Sequence, residues 1–431
     1  MSVEITSAQS ETFEFAVTSD GCVLTGTGRL RALAVTFGEG WLTPHALADG
    51  VGITVENVAG VVGTVRVTSG VRMRLDVALE NEVGDVIEVD GPVLSAAGER
   101  PVIGWIAGAS GELVLPGPDG PGLLAQRRGL CVPGSAPGEV YPLGEVVTVA
   151  PRQLVTAAWT YETFSGDLLD VPAEHTDLPL ARYVPVGETV EFSAPDGMVT
   201  FPDATRLAES DGEFVLDPEP GLTQLQLWGI GGATLVEVGA YEDLSTLRGR
   251  ATALRGSSDT WCYVAVRHLL EGEIRDDIVD RIDWLLAEAE ESPSAWTACA
   301  AALAVNLDLP LWDVAMTMAT RVLERPTADD VLLLALHGLI SAEEAMGRWP
   351  VGDFDRVGLD AVAALRYGRI HTDSPRETGR DVAVARLWAA GLGESERGLR
   401  AAAYAQAAEA RLLCHLSVRP DLTDLAWLSV N

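Results

Sequence analysis

The spacing of the apolar residues changes once along this chain, and that change governs what it can fold into. In Val71-Arg72-Met73-Arg74-Leu75-Asp76-Val77-Ala78-Leu79-Glu80, the residues Val71, Met73, Leu75, Val77 and Leu79 fall on one side. Arg72, Arg74, Asp76 and Glu80 fall on the other. Successive strand residues point to opposite faces, so this spacing specifies a sheet with one buried and one wet face. Shorter runs repeat it at Phe13/Phe15/Val17, Ile53/Val55 and Val65/Val67, with dense turn signals such as GPDGPG at 117–122. Many short strands with frequent turns predict an antiparallel β-sandwich rather than a βαβ fold.

From about residue 243 the period becomes helical. Asp276–Glu291 sets Ile278, Ile282, Leu285 and Ala289 on one face, the stripe of an amphipathic helix. Asp276 and Asp277 suit its start, where carboxylates meet the positive end of the helix dipole. Further helices are predicted at Ser294–Leu303, Leu311–Leu323, Ala328–Ile340, Phe354–Arg366, Arg380–Ala390 and Glu396–Leu416. Pro293, Pro310, Pro326, Pro350, Pro375 and Pro420 separate them, because proline is tolerated at helix starts and breaks interiors. No fixed repeat length and no tetratricopeptide signature is visible, so the reading is an all-α array or bundle, with a true solenoid as the alternative.

Between these halves, the polar stretch SGDLLDVPAEHTDLP near 165–180 has no period. Strand-like runs follow at Val186–Phe192, Met198–Phe201, Phe214–Leu216, Leu222–Trp228 and Ala233–Val238. The expected division is a large β-sandwich domain over 1–170, a small β-sandwich or added β layer over 180–242, and an all-α helical domain over 246–431.

Composition narrows the function by exclusion. All 30 basic residues are arginine and none is lysine. That removes Schiff-base and pyridoxal-phosphate chemistry and the lysine of a P-loop or kinase strand. Net charge is −33, with 63 acidic residues. Such a surface repels phosphates and anionic lipids, so neither nucleic acid nor membrane is an expected partner. Residues 351–431 are nearly neutral, with their arginines matched by acids as on an ordinary helical surface. The start has no basic and apolar leader pattern, and no apolar run is long enough to span a bilayer. Cys22, Cys131, Cys262, Cys299 and Cys414 are scattered and odd in number. That usage fits reduced thiols in the cytoplasm better than a disulfide framework.

No HExxH, GxSxG, paired CxxC or EF-hand loop is present. The six histidines, His45, His175, His268, His337, His371 and His415, lie far apart. His337 sits in the apolar run LLLALHGLI and reads as a hydrogen-bonded core residue. Cys414 and His415 are neighbours, but adjacent helical residues do not face each other, so they form no local dyad. Gly229-Ile230-Gly231-Gly232 lies between two strand-like runs and reads as a hairpin turn, not a phosphate cradle. The pairs Asp276/Asp277, Asp329/Asp330 and Glu343/Glu344 read as helix caps and solvated charge. Of the tryptophans, Trp261, Trp284, Trp296, Trp312, Trp349, Trp388 and Trp427 fall in the helical half, most of them as core anchors. Trp349-Pro350 is the best candidate for an exposed indole. No catalytic residue is assigned, and neither a cofactor nor a metal is expected.

The order of a large β-sandwich followed by helices is similar to carbohydrate-active enzymes that pair a supersandwich with an α/α toroid. Leu143–Glu162 (LGEVVTVAPRQLVTAAWTYE) resembles a late supersandwich strand pair. The likeness is one of layout, and no catalytic residue carries over. The leading expectation is a non-catalytic cytoplasmic scaffold or adaptor that binds a protein partner through its helical domain. The alternative is a carbohydrate-active enzyme or sugar-binding module, whose cleft would hold two carboxylates and exposed indoles. A third reading is a structural homo-oligomer whose sheet edges pair between copies.

Overall fold

The computed structural model describes residues 2–6, 12–348 and 378–430, apart from 50, 71, 99–101, 108–109, 118–119, 135–137, 167–181, 194–197, 201–205, 211–212, 230–231, 255 and 273–274. The expected helix Phe354–Arg366, Trp349-Pro350, His175, His371 and nearly all of the polar stretch near 165–180 lie outside the described residues. The N-terminal part is built of strands and the C-terminal part of helices.

One antiparallel sheet runs Ser2–Thr6, Thr12–Val17, Gly21–Gly26, Leu30–Thr36, Val93–Gly98 and Glu139–Tyr141. A second runs Ile103–Ala107, Ser110–Leu115, Gly122–Pro133, Leu154–Thr163, Met73–Asn81, Val61–Thr68, Gly52–Glu56 and His45–Ala46. The alternation expected for 71–80 is realised in Met73–Asn81, where Met73, Leu75, Val77 and Leu79 are buried while Arg74 and Glu80 are exposed. Phe13, Leu24, Leu33 and Leu94 of the first sheet share one core with Ile53, Val65, Leu75 and Trp159 of the second. Phe13 and Tyr161 meet across it edge to face, with ring centroids 5.9 Å apart, a favoured aromatic geometry.

The strand Gly122–Pro133 joins three sheets. Residues 122–128 belong to the second sheet, and Val132 and Pro133 pair with the first. Gly129–Cys131 run parallel to Gly232–Thr234 of a third sheet. Gly129 has φ +102, and a Cβ there would stand 2.5 Å from the Pro142 carbonyl oxygen, so the bend requires glycine. The third sheet contains Met198–Thr200, Gly221–Gly229, Gly232–Tyr241 and Tyr183–Pro185, the last again parallel to its neighbour. A separate three-stranded sheet holds Val190–Ser193, Glu213–Asp217 and Arg206–Ser210. The antiparallel expectation therefore holds within the first two sheets, and parallel pairs occur where the third is attached.

Two sequence readings need correction. The run Val186–Phe192 is not one strand: Tyr183–Pro185 ends, a turn follows at Gly187 with φ +92, and Val190–Ser193 begins in another sheet. The strands Val146–Val149 and Leu154–Thr163 both form, but they do not pair with each other. Val146–Val149 pairs with Ile87–Asp90, and Leu154–Thr163 lies between Gly122–Pro133 and Met73–Asn81. Arg152, with φ +61, turns the chain between them.

Ten α-helices lie among the described residues. Five match the expected spans to within two residues at either end: Asp276–Ala289, Ala295–Ala304, Trp312–Val322, Gly379–Gly391 and Glu396–Val418. Ser294 and Thr297 form a capping box, in which each side chain satisfies a backbone N–H of the other end. The helix begun at Ala328 stops at Leu336 rather than Ile340. Gly338 adopts φ +69, and the Leu339 N–H closes onto the Leu334 carbonyl, which is a left-handed helix stop. Leu244–Ala253 and Asp259–Glu271 precede these, and Ala342–Arg348 and Leu422–Leu428 complete the set. The helices enclose their own apolar core.

Candidate functional site

The long helix Glu396–Val418 lies on the third sheet. In the strand Gly232–Tyr241, Glu237, Gly239 and Tyr241 share a face, while Val238 and Ala240 are fully buried on the other. Gly239 makes the close approach possible, since a Cβ there would stand 2.9 Å from Cys414 Sγ of the long helix. Tyr183 pairs with Gly239 in parallel register and so stands beside it. The helix presents Ala403, Ala407 and Ala410, small residues at helical spacing, together with Gln406, Glu409 and Leu413. With Tyr183 and Tyr241 these residues line a groove of about 390 Å³ between the sheet and the helix.

Behind the groove lies a chain of charge-assisted contacts. Arg411 donates from Nε to Glu237 Oε1 at 2.5 Å and from Nη2 to Oε2 at 3.2 Å. The pair joins the long helix to the sheet and is mostly withdrawn from water, at 13% and 22% side-chain exposure. Tyr183 donates its hydroxyl to Glu237 Oε1 at 3.1 Å and accepts from Arg182 Nε at 3.2 Å. The Arg182 guanidinium also lies over the Tyr183 ring, 5.3 Å from its centroid. Glu409 meets Arg386 of the preceding helix at 3.2 Å.

These surroundings push the two carboxyls in opposite directions. Burial acts to raise Glu237, but the charge and hydrogen bonds of Arg411 and the Tyr183 hydroxyl outweigh it and hold the group ionised below its usual range. Burial raises Glu409, and Arg386 offsets this only in part. Burial pushes the Tyr183 phenol up to about 12. It raises Tyr241 as well, with the neighbouring Cys414, Glu188 and Glu409 adding to the effect. Both phenols therefore keep their protons at neutral pH. A fixed anion, a carboxyl able to take or give a proton, and neutral phenol donors are the parts that acid–base chemistry uses.

The residues singled out in the sequence lie elsewhere, or bear on the groove only from behind. Cys414 is buried and its thiol is pushed up to about 12 by burial, so it is no thiolate nucleophile. His337 accepts from or donates to Tyr263 Oη at 3.0 Å, and its Nδ1 meets the Leu333 carbonyl at 2.9 Å. Asp330 completes a capping box with Thr327, and Asp329 pairs with Arg380. Gly229 and Gly232 face each other in a hairpin register, with the two residues between them outside the described set. Trp261, Trp388 and Trp427 are buried, whereas Trp284 and Trp312 are 50% and 48% exposed. Among the described residues, no three of His, Cys, Asp and Glu gather as a metal ion would need. No described helix is long and apolar enough to cross a membrane.

No motif announced Tyr183, Glu237, Tyr241, Glu409 or Arg411. Two signals were available: Glu237 is the one charge in the apolar strand ATLVEVGAY, and Gln406 and Glu409 interrupt the alanine run AAAYAQAAEA.

No family model and no curated protein matches the chain. Among solved structures, a polysaccharide lyase superposes with a TM-score of 0.55 and 9% sequence identity, over 92% of this chain and 81% of that one. At that identity the likeness is one of fold. Its extent, across sheets and helices alike, gives the layout resemblance read in the sequence a solved counterpart.

Proposed function

We propose that this protein is carbohydrate-active, binding a saccharide chain in the groove between the long helix and the third sheet and cleaving a glycosidic bond there. The observation that carries the reading is the pair of carboxyls with opposed acidities, Glu237 and Glu409, beside a groove bordered by Tyr183 and Tyr241. The end-to-end likeness to a polysaccharide lyase supports it. In this reading Glu409 is the group that moves a proton. Tyr241 is a neutral donor toward a leaving oxygen, and Gln406 offers hydrogen bonds to sugar hydroxyls. Glu237 stays ionised and fixes Tyr183. The adaptor expectation has no comparable observation behind it.

The sandwich reading of the first two sheets belongs to the same proposal and is supported by the core their facing sides share. The division at 1–170, 180–242 and 246–431 is supported by a second core confined to the helices and their flanks. Placement in the cytoplasm is supported by five cysteines that are all buried and in no disulfide.

The test is an oligosaccharide panel assayed for new reducing ends and for unsaturated ends. Turnover by the wild type, with Glu409→Gln lowering it at least about a hundredfold at unchanged circular dichroism, supports the assignment. Equal turnover in that variant sinks it.

A further inference from the structure

The groove between the long helix and the third sheet has a charge pattern that bears on which sugars it can hold. Its wall offers the Tyr241 hydroxyl, the Gln406 amide and the Glu409 carboxyl. Tyr183 adds its ring, while its hydroxyl is already donated to Glu237 Oε1. The rest of the wall is Ala403, Ala407, Ala410 and Leu413. Among the described residues that line the groove, none is basic.

Three guanidiniums lie around it, and each is engaged. Arg411 forks onto Glu237, Arg386 meets Glu409, and Arg182 gives its Nε to the Tyr183 hydroxyl. Carboxyl groups stand as near. Glu409 is part of the wall itself, and Glu237 lies one hydrogen bond beyond Tyr183. Glu188 and Glu409 both act on the Tyr241 phenol.

A sugar hydroxyl donates and accepts, so it can use either half of the Gln406 amide, give a hydrogen bond to Glu409 and exchange one with Tyr241. The alanine and leucine methyls and the Tyr183 ring cover the apolar C–H face of a pyranose. A uronate carboxylate only accepts. It would find the Tyr241 O–H and the Gln406 N–H, but it would stand beside Glu409 with no guanidinium on the wall to answer it. A charge drawn from water without a counter-charge is costly, and two carboxylates at one site oppose each other's ionisation. The net charge of −33 adds repulsion at longer range.

We propose that the groove selects uncharged sugar units and turns uronate units away, with Glu409 and Gln406 as the residues that set the choice. The inference rests on the carbohydrate reading above and narrows its substrate class.

Trisaccharides that differ only in their carboxyl groups test it by calorimetry with the full chain at low ionic strength. Glucose is set against glucuronate, mannose against mannuronate and galactose against galacturonate. Wild type, Gln406→Arg and Tyr241→Phe are compared. Gln406 is exposed, so the helix can carry an arginine there. In a pair that binds, wild type is expected to hold the neutral trimer at least about tenfold more tightly. Gln406→Arg narrows that gap at least about fivefold by strengthening the uronate, and Tyr241→Phe weakens the neutral trimer roughly fivefold. A uronate trimer held as tightly as its neutral counterpart, or more tightly, overturns the selection. If Tyr241→Phe weakens that binding, the groove still stands as the sugar site. Binding that neither variant moves lies elsewhere and overturns both readings, as does a wild type that binds no trimer.

Discussion

At the residue scale, the Arg411–Glu237 pair has the most exposed consequence. Removing one member of a withdrawn ion pair strands the other, at a cost of about 3 kcal/mol. Arg411→Met is therefore expected to lower urea stability by that order at pH 7, and the double variant Arg411→Met/Glu237→Gln to recover much of it. The pH dependence follows from Glu237 being held below the ordinary carboxylate pKa range. Its contribution is whole above the ordinary carboxylate range and is lost as pH falls through the folded value, so Glu237→Gln flattens the acid limb of a melting-temperature profile. Glu409 runs the other way. Its pKa, raised by burial, makes it stabilising when protonated and costly once pH rises through its folded value. Glu409→Gln is expected to melt higher than wild type at pH 8 and not at pH 4. None of this network was legible in the sequence, because Glu237 finds Tyr183 and Arg411 54 and 174 positions away. Pattern reading sees neighbours at two, three and four.

At the element scale, legibility followed solvent contrast. Met73–Asn81 has one wet and one dry face, and both its identity and its orientation were visible in alternation. Asp276–Ala289 announced itself in the same way through its apolar stripe. Asp259–Glu271 did not, because six consecutive residues from Trp261 to Val266 are buried and leave no period to read. The apolar pattern runs past the end of Ala328–Leu336 to Ile340, because Leu339 and Ile340 continue the apolar run while Gly338 stops the helix in the left-handed region. Two substitutions check the local arguments by chemical denaturation. Ser294→Ala removes one arm of a capping box and is expected to cost about 1 kcal/mol. Gly239→Ala places a methyl 2.4 Å from the Gly221 carbonyl oxygen and against Cys414, and is expected to cost about 2–3 kcal/mol by forcing the strand and the long helix apart.

At the scale of the whole molecule, the helical core is separate from the sheet core, yet the long helix needs the third sheet beneath it. A fragment of residues 246–431 would leave Ala403, Ala407, Ala410, Leu413 and Arg411 without their partner surface. It is expected to associate or melt early in size-exclusion and thermal measurements, whereas 180–431 regains a cooperative transition. The layout of sheets before helices was legible from period alone. The attachment between them was not, because parallel pairing between distant strands leaves no local trace. The strand Gly122–Pro133 extends that point into time. It carries pairing edges for three sheets, but its parallel partner at Gly232–Thr234 comes about a hundred residues later. During synthesis the first two sheets can assemble while this edge stays open, exposed to the wrong strand or to another nascent copy until the ribosome delivers the right one. Yield of folded protein should therefore depend on the pace of translation through the third sheet more than on the final stability of either core.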